Sequence, residues 1–125
     1  MELLRSVVEL WNADDDDLDL LDPEIELHTP FSLLAGEPYR GIAGYRQWRA
    51  DVREQFEQWR MNINEFTALG ENRVLAIGFA HVRGHGSGIE FDQPAAGLVD
   101  FRAGRLLRVR IFLSEAEART VAGLD

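Results

Sequence analysis

The chain has 125 residues, 46% of them apolar, and a formal net charge of −9 at pH 7. That length suits one domain with one hydrophobic core, spanning 1–125, and leaves no room for a second. Cysteine is absent and all thirteen basic residues are arginine, which excludes disulfides, thiolate nucleophiles, cysteine-ligated zinc and Schiff-base lysine chemistry.

The charge is uneven. Residues 1–30 carry Glu2, Glu9, Asp14 to Asp17, Asp19, Asp22, Glu24 and Glu26 against Arg5 alone, while acids and arginines balance in the rest of the chain. An acidic end over a neutral body repels phosphate, so neither nucleic acid nor an anionic membrane surface is an expected partner. No apolar run reaches about 18 residues. Met1-Glu2-Leu3-Leu4-Arg5 lacks a basic start and a small-residue cleavage site, so a soluble, untargeted, cytoplasmic protein is expected.

In chain order, Leu3, Leu4, Val7, Val8 and Trp11 recur at helical spacing and predict a first helix of about three turns, ending near Asn12. Asp14 to Asp17 offer caps to a short second helix carrying Leu18, Leu20 and Leu21, which Pro23 ends. The acidic run lacks the glycine and closing glutamate of a calcium loop and reads as a solvated cap. Over Glu24 to Thr29 the period changes to two, with Ile25, Leu27 and Thr29 on one face and Glu24, Glu26 and His28 on the other. A loop is expected from Phe31 to Ala35. A third helix then opens near Gly41, with Ile42, Tyr45, Trp48, Val52, Phe56 and Trp59 on its apolar stripe and Arg46, Gln47, Arg49 and Arg53 opposite.

Four strands follow, roughly Met61 to Leu69, Arg73 to Arg83, Ile89 to Phe101 and Leu106 to Leu113, as an antiparallel meander. Gly70-Glu-Asn72, Gly84-His-Gly-Ser-Gly88 and Arg102-Ala-Gly104 are the turns, and Pro94 implies a bulge or bend inside the third of these strands. The residues from Glu115 form a short helix or fray.

Three stretches carry a family resemblance: Trp11-Asn-Ala-Asp-Asp15 with Leu20-Leu-Asp-Pro23, Gly36-Glu-Pro-Tyr-Arg-Gly41 before the aromatic helix, and Phe101-Arg-Ala-Gly-Arg-Leu106 before a strand ending Ile111-Phe-Leu-Ser114. In this order the chain resembles the SnoaL-like polyketide cyclase branch of the nuclear transport factor 2-like (cystatin-like) superfamily. The resemblance implies an α+β cone, with three helices packed on a curved, mostly antiparallel sheet around a pocket. Ala103 and Ser114 depart from the acidic or amide residues usual there. Catalytic relatives such as ketosteroid isomerase place a base at the end of the first strand and oxyanion donors on the first helix and a late strand. Those positions fall here on Thr29, Val7 and near Gly97, none of which moves a proton near neutral pH. Limonene epoxide hydrolase, a cousin, uses an Asp, Arg, Asp relay. Here Asp100, Arg102, Arg108 and Arg110 have suitable types, but strand parity turns Asp100, Arg108 and Arg110 away from the face shared by Val99 and Phe101 and by Leu107, Val109, Ile111 and Leu113. They read as cross-strand ion pairs or a dimer rim.

The histidines are the remaining titratable candidates. His28 shares the Glu24 and Glu26 face, although Pro30 allows a twist toward the pocket. His81 lies with Leu75, Ile77 and Phe79 on a face that is a candidate for the concave one, and His85 sits in a glycine turn. His81-Val-Arg-Gly-His85 lacks the glutamate and the helix of a zinc protease motif, and no metal or cofactor is expected. The predicted pocket draws on Trp11, Thr29, Phe31, Trp48, Val52, Phe79, Val99, Phe101 and Leu113, with His28, His81 and Gln93 as polar groups; Ala95 and Gly97 widen it. The leading expectation is a homodimer that binds a small apolar or cyclic molecule. An isomerase, cyclase or hydrolase using His28 or His81 is the alternative, and a non-catalytic association module with a filled core is a further one. Arg102, Arg108, Arg110 and Phe112 are the expected dimer patch.

Overall fold

The computed structural model of the chain describes residues 2–124, and of Leu34 the backbone alone. Six strands form one sheet in the order β2-β1-β6-β5-β4-β3. They are β1 (Leu21–His28), β2 (Tyr39–Arg40), β3 (Phe56–Ala68), β4 (Arg73–Gly84), β5 (Glu90–Arg102) and β6 (Arg105–Phe112), and only the β1–β6 pair is parallel. Helices α1 (Glu2–Asn12) and α3 (Gly41–Gln55) pack on the concave face, α2 (Pro30–Ala35) closes one end, and α4 (Glu115–Ala122) covers part of the outer face. No helix among the described residues is long and apolar enough to cross a membrane. The expected α+β cone is present, with four α-helices rather than three.

The sheet bends where its register slips. Shifts occur in β3 between Phe56 and Gln58 and again between Ile63 and Glu65, in β1 between Leu21 and Glu26, and in β6, where Leu107 is extra opposite Asp100 and Phe101. An extra residue on one strand increases local twist and curls the sheet toward the helices. Gly78 sits opposite the second β3 shift, and a Cβ there would lie 1.9 Å from the carbonyl oxygen of Asn62. Only glycine allows β3 and β4 to approach this closely. Pro94 causes no shift. It pairs with Phe79 in regular register beyond the end of the β5–β6 ladder, where the other edge of β5 has no neighbouring strand.

Several boundaries differ from the sequence reading. The predicted second helix is a single 3₁₀ turn, Leu18–Leu20, capped by the Asp17 side chain. Strand β1 already begins at Leu21 and runs through Pro23, whose missing N–H falls within the stretch where the β1–β6 ladder is interrupted. The expected loop at Phe31 to Ala35 is helix α2. Thr29 and Ser32 form a reciprocal capping box around Pro30, and Gly36 closes the helix in the left-handed region. The long helix ends at Gln55, so Phe56 and Trp59 belong to β3.

The concave core gathers Trp11, Trp48 and Trp59, with ring centroids 5.0 to 6.2 Å apart. These are mostly edge-on geometries that aromatic pairs favour. Beneath them lies a polar chain. Trp11 Nε1 donates to the Tyr45 hydroxyl at 2.8 Å, that hydroxyl donates to Asp16, and Arg49 Nε donates to the same Asp16 oxygen at 3.1 Å. Arg49, expected on the polar side of α3, is 2% exposed. Asp16 is likewise more than a solvated cap residue, because it joins the acidic loop to α3. Burial, reinforced by the hydrogen bond to Asp16, holds the Tyr45 hydroxyl protonated well above the usual phenol range. Asn12 ties the end of α1 to β3 through two 2.8 Å bonds with the Met61 backbone. Arg49→Met removes the closer of two guanidiniums on the partly exposed Asp16, which keeps Arg53 at 3.8 Å, and we expect urea denaturation to show a loss of about 2 kcal/mol, that of a hydrogen bond to a charged group. A loss under about 0.5 kcal/mol, typical of an ordinary surface substitution, would contradict this account.

Candidate functional site

A cavity of about 200 Å³ lies between α3 and the far half of the sheet. Trp48 and Val52 of α3 form its roof, and Ala80, Val82 and Ala95 of β4 and β5 form its floor. Phe56, Trp59 and Met61 of β3 close one side. Small floor residues leave space that the aromatic roof does not fill, which is why the core is hollow here. Phe31, Phe91 and Leu113 stand at the mouth, the last two about half exposed.

Among the described residues the lining contains no titratable side chain. Apart from the indole N–H groups of Trp48 and Trp59, its polar side chains are Thr29 and Gln93. The Thr29 hydroxyl accepts from the Ser32 backbone N–H at 3.3 Å as the cap of α2, and the Gln93 amide donates to the Pro94 carbonyl at 3.3 Å. The hydroxyl proton of Thr29 and the Gln93 carbonyl are therefore left to orient a polar substituent, beside the indole N–H donors. The other two positions that carry catalytic groups in relatives are also inert here. Val7 is core, and Gly97 contributes no side chain.

Of the predicted pocket residues, the structure brings together Thr29, Phe31, Trp48, Val52, Gln93 and Leu113, with Ala95 on the floor. Trp11, Gly97 and Val99 instead line an adjoining void of about 30 Å³ beneath α1. Phe79 and His81 fall on the opposite face of β4 with Leu75 and Ile77, because the inward residues of that strand are Val74, Ala76, Ala80 and Val82. Both parities of β4 are apolar since α4 buries the outer side, so alternation alone does not tell concave from convex. Phe101 keeps the inward face of Val99 and packs at the edge of the concave core opposite Leu106, outside the cavity lining, while its rim borders an outer groove with Glu24 and Arg108. Leu107 is the extra residue of a bulge on β6, which turns it outward and puts Leu106, wholly buried, in the core.

His28 stays on the outer face, 3.0 Å from Glu26, which also pairs with Arg40. Asp100, Arg108 and Arg110 lie outward as parity requires. Burial raises the Asp100 carboxyl, but hydrogen bonds from Arg73 at 2.6 Å and Arg108 at 3.0 Å outweigh it and leave the group below its ordinary range. Arg102 forks onto Asp22 at 2.9 and 3.0 Å. Phe112 of the expected dimer patch packs in the cluster under α4 with Leu75, Leu98 and Ala118. Sequence reasoning missed Ala80, Val82, Met61 and Phe91 as lining, and assigned Phe56 and Trp59 to the helix. The one available signal was the row of small residues Ala76, Gly78 and Ala80 at period two.

A family model for the SnoaL-like domain matches residues 4–109. The chain belongs to the SnoaL-like domain family. Several solved structures share this SnoaL-like fold. A nuclear transport factor 2-like protein of unknown function from Burkholderia pseudomallei K96243 superposes with a TM-score of 0.81 at 18% identity, covering 98% of this chain and 95% of that one. TerC, co-crystallised with polyporic acid, gives 0.80 at 19% identity, with coverage of 98% and 96%. A candidate SnoaL-like polyketide cyclase from Jannaschia sp. CCS1 gives 0.75 at 16%, with coverage of 98% and 90%. No curated protein matches this SnoaL-like chain significantly in sequence.

His81 belongs to an outer charged cluster, with Nδ1 2.7 Å from Asp92 and Nε2 3.3 Å from Glu90, which also binds Arg83. The hydrogen bond to Asp92, then that to Glu90, raises its pKa above 6.5. With the folded value above the unfolded one, the imidazolium stabilises fully below about pH 6.5, and its contribution fades as pH rises through the folded value. Thermal melts should therefore show His81→Gln less stable than the parent at pH 5.5, with the gap closing by pH 9. A gap independent of pH would refute this.

Proposed function

We propose that this SnoaL-like protein binds a small apolar or cyclic molecule in its concave cavity. The observation that carries the reading is a hollow walled by Phe31, Trp48, Phe56 and Trp59 with no acid or base on its lining among the described residues. Such walls favour a flat, apolar ring held by area and edge contacts, oriented by Thr29 and Gln93. A volume of about 200 Å³ is below the usual range of roughly 300–1,000 Å³ for drug-sized ligands, which points to one ring or two fused rings. The polyporic acid crystallised with TerC supports a cyclic ligand class. The isomerase, cyclase or hydrolase reading through His28 or His81 has no geometric support, because neither histidine lines the cavity. The filled-core association module is likewise disfavoured by the hollow itself.

Naphthalene titration followed by tryptophan fluorescence tests the reading, since Trp48 and Trp59 report on the site. Ala80→Phe puts a ring into the hollow and should weaken binding by about tenfold or more, corresponding to roughly 1.4 kcal/mol. Saturable binding that survives Ala80→Phe unchanged would sink the cavity as the site.

Pairing of two copies through the outer sheet face belongs to the same proposal. With Phe112 packed under α4, such a contact draws on Arg102, Arg108 and Glu24 rather than on an aromatic patch, and screening weakens it. Sedimentation at micromolar protein should show dimer at low salt and a shift toward monomer at high salt. Monomer alone under both conditions counts against pairing.

A further inference from the structure

We propose that the ligand is an organic acid, with its apolar ring in the cavity and its carboxylate on Arg110 in the groove beside it; this rests on the cavity reading above. The groove, of about 530 Å³, lies between α2, the end of β6 and α4. It shares Thr29, Pro30, Ile111 and Leu113 with the cavity, so the two hollows meet along one wall. Leu33, Leu113 and Val121 are exposed along it, at 82%, 48% and 45%. Apolar groups left in water on both sides of a common rim fit a ligand that spans it.

Arg110 supplies the charge. Three guanidiniums, from Arg73, Arg108 and Arg110, face the single carboxylate of Asp100. Arg73 and Arg108 hold that carboxylate through well-formed hydrogen bonds, whereas Arg110 Nη2 stands 3.5 Å away and makes none. Arg110 Nε and Nη2 are shut off from solvent and make no hydrogen bond among the described residues, so the 3.5 Å ion pair is all that holds them. A charged donor pair left unsatisfied is costly, so its present position is one that Arg110 gains by leaving. Turning toward the groove gives up the long ion pair to Asp100 but no hydrogen bond, and Asp100 stays neutralised by its two partners. A planar guanidinium fork is matched by a carboxylate, which takes both donors at once. Glu37 and Glu117 also line the groove, but both are solvent-exposed and their repulsion is screened. His28, at the groove's other edge, is engaged by Glu26.

Calorimetric titration with 4-(2-naphthyl)butanoate and with the matching neutral 4-(2-naphthyl)butanamide tests the assignment in the parent, Arg110→Gln and Ala80→Phe proteins. In the parent, the acid should bind about tenfold tighter than the amide, as a charge-assisted pair requires. Arg110→Gln should bring the acid down to the amide's affinity and leave the amide unchanged, while Ala80→Phe should weaken both. Equal affinity of acid and amide in the parent overturns the carboxylate site while the cavity reading stands. Failure of both probes to bind overturns the two together. A readout free of any variant is the arginine Nε–H spectrum of the parent. The acid, and not the amide, should shift one arginine resonance, and bound acid that shifts none overturns the proposal.

Discussion

The shape of this protein depends on a single carboxylate placed under the aromatic roof. Asp16 accepts from the Tyr45 hydroxyl and from Arg49, and Trp11 donates to the same tyrosine. Four residues from α1, the acidic loop and α3 are thereby held in one chain of hydrogen bonds. A polar group closed off from water must be paired or it destabilises the fold, so this chain sets where α3 lies and how it is rotated. Trp48 and Val52, on the same helix, are then presented to the sheet at one height. The hollow beneath them is a consequence of that spacing together with small residues on the floor.

Curvature is the second requirement, and it comes from the strands. Register shifts in β1, β3 and β6 bend the sheet, and Gly78 permits a backbone approach that any side chain would block. The β6 bulge also reassigns faces at the end of the last hairpin, burying Leu106 and turning Leu107 out. The β6–β5 turn at Ala103 and Gly104, both with positive φ, matches the strand twist that this hairpin needs. Bulge, glycine and turn act together: each removes a strain that a flat ladder would place on the others.

The two faces of the sheet divide the chemistry. Inside, a dry aromatic site excludes charge. Outside, arginines and carboxylates form a lattice of partly exposed pairs in which Asp100 is shared by Arg73, Arg108 and Arg110. Both histidines weighed as catalytic candidates belong to this outer lattice, each beside carboxylates rather than beside the cavity. The cavity and the outer charges come within reach of one another only around the ends of β1 and β6, where Thr29, Pro30, Ile111 and Leu113 are common to both hollows.

What the sequence determined by itself follows from local periodicity and turn chemistry. The first helix, the buried face of Ile25, Leu27 and Thr29, the aromatic stripe of α3, the four-strand meander and the outward Asp100, Arg108 and Arg110 were all legible, because one side of each element packs and the other does not. The motifs around Gly36 to Gly41 and Phe101 to Leu106 also marked the family. What only the tertiary structure decided is which side of β4 is concave. Apolar residues occupy both of its faces, and α4, far away in sequence, buries the outer one; Phe79 and His81 consequently changed sides. Contacts across long separations also settled that Arg49 is buried, since only the approach of Asp16 makes a guanidinium tolerable there. Helix length followed the same logic: Phe56 and Trp59 keep helical spacing, yet pairing of β3 with β4 offered their backbone a better set of hydrogen bonds.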